Sequence, residues 1–203
     1  MGPDCLTEGA AWLAAVEPRF AKVLPRITPL PMRLKDDGFG PLLHIILGQQ
    51  VSVASAQAVW EKLETAGLNT ADAISAASPD DLRDMGLSHQ KASYAHGLAA
   101  AGIDFDGLRD RSNADIIKTL RAVKGIGPWT AEVYTMFSLA RADVFAPGDL
   151  AIQEAARMIF DLPNRPTERA MRDMAQAWSP WRSVAARIFW AYYAMTKKKD
   201  GII

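Results

Sequence analysis

A single cysteine, Cys5, stands among 203 residues. One thiol closes no intramolecular disulfide, and it cannot alone ligate a structural zinc ion or an iron–sulfur cluster. Histidine is almost as scarce. His44, His89 and His96 lie far apart, without the short spacing of a ligand set, and read as surface or cavity-lining residues. Neither sign of charge is in excess, with 23 Lys+Arg against 23 Asp+Glu. That counts against a protein gripping nucleic acid by net charge alone. No apolar run approaches the ~20 residues that span a bilayer. The start, MGPDCLTEGAAW, has no basic n-region and no long apolar core, so no secretory signal is expected and the cytoplasm is the default. Alternating β-branched runs and Asn-Gly turns are also rare, which argues against strands and hairpins.

What is there is helical. Alanine-rich, 3.6-periodic stretches predict an all-α fold. One helix is expected over 10–24, ended by Pro25, followed by a proline- and glycine-rich connection over 25–40. A long apolar helix is expected from Leu42 to Leu63, interrupted by Gln49, Gln50, Ser52 and Ser55. Short helices follow at 70–76, at 79–84 behind Ser78 and Pro79, and at 88–101. Asn113 is placed to cap a helix carrying Ile116, Ile117, Leu120 and Val123 on one face, with Gly125 as its left-handed end. Pro128 opens the next helix, to about Ala140. Asp149 precedes one over 150–161, Thr167 caps 168–178, and Pro180 starts the last, to about Thr196. From Arg165 to Lys199 there are eight Lys/Arg against two Asp/Glu, a segment that either faces an anionic partner or is simply a solvated face.

The stretch KGIGPWTA, Lys124 to Ala131, joins two of these helices through a tight turn. Turn amides and the unpaired N–H groups at the second helix's start can converge on one spot, making an anion site from backbone alone. Gly125 and Gly127 carry no side chain, so a phosphate could come close, and Thr130 could add a hydroxyl. Such a device needs no lysine cluster, which fits the neutral charge. An ordinary corner between two helices would look the same on these residues alone.

The stretch LRAVKGIGPWTAEVYTMFSL resembles the helix-hairpin-helix of the HhH-GPD superfamily of DNA glycosylases. Three further blocks resemble that family in its order. LHIILGQQVSVASAQ (43–57) is similar to the helix that fills the gap left by an extruded base. VFAPGDLAIQEAARMIF supplies a Gly/Pro-rich loop and an aspartate, with Pro147, Gly148 and Asp149. WSPWRSVAARIFWAYY (178–193) is similar to the family's last helix. The nearest branch is that of 3-methyladenine DNA glycosylase II. The resemblance implies two helical lobes with a DNA-binding cleft, as a single unit over 1–203. The hairpin lobe is expected over about 36–140, and the second lobe joins about 1–35 to 141–203.

It also implies roles. Asp149 is the expected catalytic carboxylate, and as the residue before a helix it can be that helix's N-cap as well. Its negative charge would stabilise the positive charge that builds on the deoxyribose as the base departs. Hairpin residues Gly125, Ile126, Gly127 and Thr130 are expected to bind a DNA phosphate. Gln50 aligns with the intercalating position, supported by Gln49. Trp129, Trp190 and Tyr134 are candidates for the base pocket, where a tryptophan face attracts a cationic alkylated purine by ~0.5–2 kcal/mol. Trp178 and Trp181 read as structural. Arg182 is a candidate for phosphate contact, for bracing the Asp149 loop, or for an ordinary surface salt bridge.

Relatives that also cut the strand carry a lysine two residues after the second hairpin glycine, where this chain has Trp129. Without that amine the usual Schiff-base route is closed. The expected activity is therefore monofunctional excision of alkylated purines, chiefly 3-methyladenine and also 7-methylguanine, from damaged double-stranded DNA in base excision repair. No cofactor is implied beyond a monovalent cation at the hairpin's carbonyls, and no protein partner. The expected location is the bacterial cytoplasm, with the nucleoid. Longer relatives carry an N-terminal β-rich domain that these residues lack. Rivals are a glycosylase for deaminated or etheno purines, a non-catalytic lesion-binding module, and a helical scaffold with a chance turn.

Overall fold

The computed structural model describes residues 1–199, and among them only helices and connecting turns occur. The helices are α1 (Pro3–Val16), α2 (Pro18–Ile27), α3 (Phe39–Leu47), α4 (Val53–Thr65), α5 (Ala71–Ala76), α6 (Pro79–Asp84), α7 (His89–Ala100), α8 (Phe105–Leu108), α9 (Asn113–Arg121), α10 (Pro128–Phe137), α11 (Leu150–Ile159), α12 (Glu168–Met174) and α13 (Arg182–Lys199). A single 3-10 turn, Ala175–Trp178, continues α12. No described helix is long and apolar enough to cross a membrane. The side chains of Lys198 and Lys199, at the end of the basic segment, lie outside the described residues. The chain divides into two compact units: Lys35–Tyr134, and Met1–Leu34 with the chain from Thr135 onward.

In the Lys35–Tyr134 unit the core forms around α3. Five of its nine residues, Leu42, Leu43, Ile45, Ile46 and Leu47, are buried, because this helix is apolar nearly all round and packs on both α4 and α7. Leu63, Ile74, Leu82, Leu98, Leu108, Ile116 and Leu120 complete the core. The other unit is built on aromatic rings. Phe20, Phe145, Phe160, Trp178 and Phe189 meet in edge-on and tilted pairs with centroids 5.3–6.3 Å apart, geometries that favour ring quadrupoles as well as burial. Trp178 is 2% exposed, in keeping with a structural residue. Trp181 and Val184 of the last segment press on Gly9 of α1, where a Cβ would come within 2.8–2.9 Å of both.

Several boundaries differ from expectation. The helix expected over 10–24 is two helices broken at Glu17, whose carboxylate accepts from Arg19 N–H to cap α2. Pro25 does not end α2. It sits in the last turn, where one missing N–H costs a single bond, and buried Phe20, Val23, Leu24 and Ile27 hold the helix. The long helix expected over 42–63 stops at Leu47 and restarts at Val53, because Gln50 takes a left-handed φ of 58° and Ser52 caps α4 through Ser55 N–H. Ser112, not Asn113, caps α9, and α9 ends at Arg121, so Gly125 (φ 94°) belongs to the turn beyond it. The last helix starts at Arg182 rather than Pro180. The four-residue α8, capped by Asp104, was not expected.

Candidate functional site

The residues singled out above fall into two groups, one in each unit.

In the Lys35–Tyr134 unit, α9, the turn 122–127 and the start of α10 form the hairpin. Ile126 N–H donates to Val123 O and closes the turn. Ile126 itself is 5% exposed and anchors the turn in the core. The two glycines have different reasons. Gly125 needs its left-handed φ, and a Cβ there would strike the ring of Tyr94. Gly127 has an ordinary φ and open space where a Cβ would go. Among the described residues beyond its chain neighbours, no atom lies within 4 Å of a Cβ placed at Gly127. Among the described residues no protein acceptor meets the N–H of Gly125 or Gly127.

One expectation for this group needs correcting, and a second becomes more specific. Thr130 is 2% exposed, and its Oγ1 accepts from the Gln49 amide at 2.9 Å, so it is an internal post of the hairpin rather than an open phosphate donor. Gln49 also donates to Gly125 O at 3.0 Å. Its side chain is tied to the hairpin, so Gln49 is a support beside Gln50 and is not itself placed to intercalate. Gln50, next to it, is exposed at the tip of the α3–α4 turn. Trp129, at the start of α10, is half-buried.

Tyr134 also departs from expectation. It is fully buried, and its hydroxyl accepts from Gly38 N–H at 2.8 Å. Burial first, with the Asp37 carboxylate adding to it, pushes the phenol up to about 12 against the opposing effects of that bond and of Arg109. A phenol so committed offers no face to a base, and Tyr134 is a packing residue.

In the other unit Asp149 is the N-cap of α11. One carboxylate oxygen, Oδ1, accepts from Ala151 N–H at 2.9 Å, from Ile152 N–H at 3.0 Å and from the Trp190 indole N–H at 3.1 Å. The two helix amides and the indole together fix the orientation of the carboxylate. Trp190 is half-buried and lies on Phe137 (5.4 Å between centroids), over which the Arg187 guanidinium also sits at 4.7 Å. Trp190 thus holds the carboxylate by one edge and keeps part of its surface open.

The loop carrying Asp149 is fixed from α13, through residues that sequence reading largely missed. Arg182 donates to both Asp143 oxygens, at 2.6 and 2.8 Å, and Ser179 adds a bond at 2.9 Å. Of the readings of Arg182, the salt bridge is the one seen, and through Asp143 it ties the chain before the Asp149 loop to α13. Burial works to raise the Asp143 pKa, but the bonds from Arg182 and Ser179 and the guanidinium's charge outweigh it and hold the carboxyl below its ordinary range. Buried Ser183 accepts from Val144 N–H, and Gln153 of α11 donates to Pro147 O at 2.8 Å. Arg187, wholly buried, gives its guanidinium protons to the carbonyls of Met32 and Ser183, and burial, with the nearby Arg33, lowers it to about 10. Signals for Asp143 and Ser183 in the sequence were too short-ranged to find: each partner lies about forty residues away.

A hairpin with exposed amides, a Gly/Pro loop and an aspartate pinned at a helix start are the marks of a base-excision fold. The chain belongs to the HhH-GPD superfamily of base excision DNA repair proteins, whose family model matches residues 43–180. It is 31% identical over 169 residues to DNA-3-methyladenine glycosylase 2 of Escherichia coli, covering 76% of this chain and 57% of that protein. The chain spans 57–60% of the length of this relative and of a Bacillus subtilis one. The solved structure of Schizosaccharomyces pombe 3-methyladenine DNA glycosylase in complex with abasic DNA is similar with a TM-score of 0.81 and 25% identity, over 94% of this chain and 97% of that one. A Bacillus halodurans DNA-3-methyladenine glycosidase is similar with a TM-score of 0.79 and 28% identity, over 92% and 89% of the two chains.

Proposed function

We propose that this protein is a monofunctional DNA glycosylase. It takes an alkylated purine, chiefly 3-methyladenine and also 7-methylguanine, out of double-stranded DNA and hydrolyses its N-glycosidic bond. The observation that carries this reading is the Asp149 carboxylate, held by three donors at the start of α11. The names of its relatives support the substrate class.

In this reading the target nucleotide leaves the stack, Gln50 fills the space, and the Gly125–Gly127 amides hold a strand phosphate. Cleavage breaks the bond between C1′ and the purine nitrogen, and the electron pair leaves with the base. Positive charge builds on the sugar, and the fixed Asp149 anion stabilises it without reorganising. A water then adds to C1′, oriented by Asp149, and loses a proton. The products are the free base and an abasic site. A cationic alkylated purine is already a good leaving group, and the faces of Trp129 and Trp190 attract it. Position 129 holds no amine, so the strand is not cut. No resident cofactor takes part. The carbonyls of Val123 and Gly125 each keep a lone pair beyond their internal bonds, the donor type a monovalent cation would use. The bacterial relatives support a location in the bacterial cytoplasm, with the nucleoid.

A panel of duplexes, each with one lesion, tests this. Free base should appear from 3-methyladenine and 7-methylguanine duplexes, and strand breaks should form only after alkali. Release confined to hypoxanthine or ethenoadenine would overturn the substrate assignment, and a borohydride-trapped protein–DNA adduct would overturn the monofunctional one.

A further inference from the structure

Gln49 spends both amide protons on the hairpin, one on Gly125 O and one on Thr130 Oγ1. Its own backbone is fixed as well, since Gln49 N–H donates to Ile46 O at 3.1 Å. The next residue, Gln50, is exposed and held in left-handed backbone that a non-glycine residue seldom adopts. One peptide therefore separates the side chain that clasps the hairpin from the side chain at the tip of the turn. α7 ties the same two places together a second time. Lys91 donates to Leu47 O, at the end of α3, and Tyr94 lies against Gly125.

We propose that Gln49 is a positioning residue that couples the hairpin's hold on the strand to insertion of Gln50 into the base stack. This rests on the reading of the hairpin as strand grip and of Gln50 as wedge. Groups joined in one hydrogen-bond network respond together. Movement of the hairpin onto a phosphate moves the Gly125 carbonyl and Thr130, and with them the turn that presents Gln50. Gln49 thereby acts without touching DNA.

The test uses the full chain and a duplex with a tetrahydrofuran abasic analogue beside 2-aminopurine, whose fluorescence rises when the stack is opened. Gln49→Met keeps the length of the side chain and removes both donors. The account expects it to lose the fluorescence rise at saturating protein and to bind the duplex about tenfold more weakly. Gln50→Ala alone should also weaken binding about tenfold, and the double variant should be less than about twofold worse than either single one. A full insertion signal in Gln49→Met, or single effects that multiply, would overturn the coupling. A purely structural role would lower the melting temperature and leave the signal of folded protein intact, and would overturn it too. Should Gln49→Met fail to fold, Thr130→Val removes one acceptor and should halve the signal; an unchanged signal overturns the coupling. If the wild type releases methylated base without any insertion signal, the coupling falls alone. If it inserts but releases no base, the catalytic reading falls and the coupling stands.

Discussion

At the residue scale, the two hairpin glycines make opposite predictions. Gly125→Ala forces a Cβ into left-handed backbone and against Tyr94, so it should destabilise the protein by more than about 1 kcal/mol in a denaturant titration. Gly127→Ala meets open space at an ordinary φ. Its melting temperature should be unchanged, while binding to duplex DNA weakens about tenfold if a phosphate contacts the bare backbone. Equal affinity would remove that contact. Trp190→Phe keeps a ring on Phe137 and deletes the indole donor to Asp149. One lost bond to a charged group is worth about 1.5–3 kcal/mol, so single-turnover base release should fall at least about tenfold with little loss of affinity. Asp149 was legible as an N-cap from its place before an apolar-periodic segment, and its proposed catalytic role came only from the resemblance. Thr130 and Tyr134 were misread because their hydrogen bonds run to residues 81 and 96 positions away, which a local pattern does not encode.

At the scale of elements, the caps explain which boundaries were readable. Ser78 and Thr167, with their acceptor geometry one turn before apolar positions, mark α6 and α12 as expected. Pro25 and the α3–α4 turn were misjudged because tertiary packing overrode the local signal: buried neighbours carry α2 past its proline, and the clasp from Gln49 accompanies the break after Leu47. The loop before α11 depends on its tie to α13. Asp143 titrates below its ordinary 3.8 when folded, so its contribution to stability is complete above that value and is lost as pH falls through the lower, folded pKa. Asp143→Asn should therefore be less stable than wild type at pH 7, with the difference shrinking as pH drops below 3.8 and vanishing once it has fallen through the lower, folded value. Chemical denaturation across that range measures it. A gap that stays constant with pH would show that the carboxylate's charge is not what holds the loop.

At the scale of the whole molecule, the two units carry different parts of the proposed machinery. One holds the hairpin and Gln50, the proposed wedge, and the other holds Asp149 and the Arg182–Asp143 pair. A zero net charge suits the proposed strand capture, in which peptide donors and few lysines hold the phosphates. The logarithm of affinity for duplex DNA should accordingly fall with log salt at a shallow slope, about −2 to −4, as expected for two to four neutralised phosphates. A slope near −8 would point to a binding mode dominated by cations. The all-helical architecture and the order of the four motif blocks could be read from the chain itself. The brace through Asp143, Ser183 and Arg187 could not, being assembled from segments distant in sequence. The most direct test of the central claim is single-turnover release of 3-methyladenine by Asp149→Asn at saturating protein. The account predicts a rate at least about 100-fold below wild type, with affinity for abasic duplex changed by less than about threefold; a rate within about twofold of wild type would contradict it.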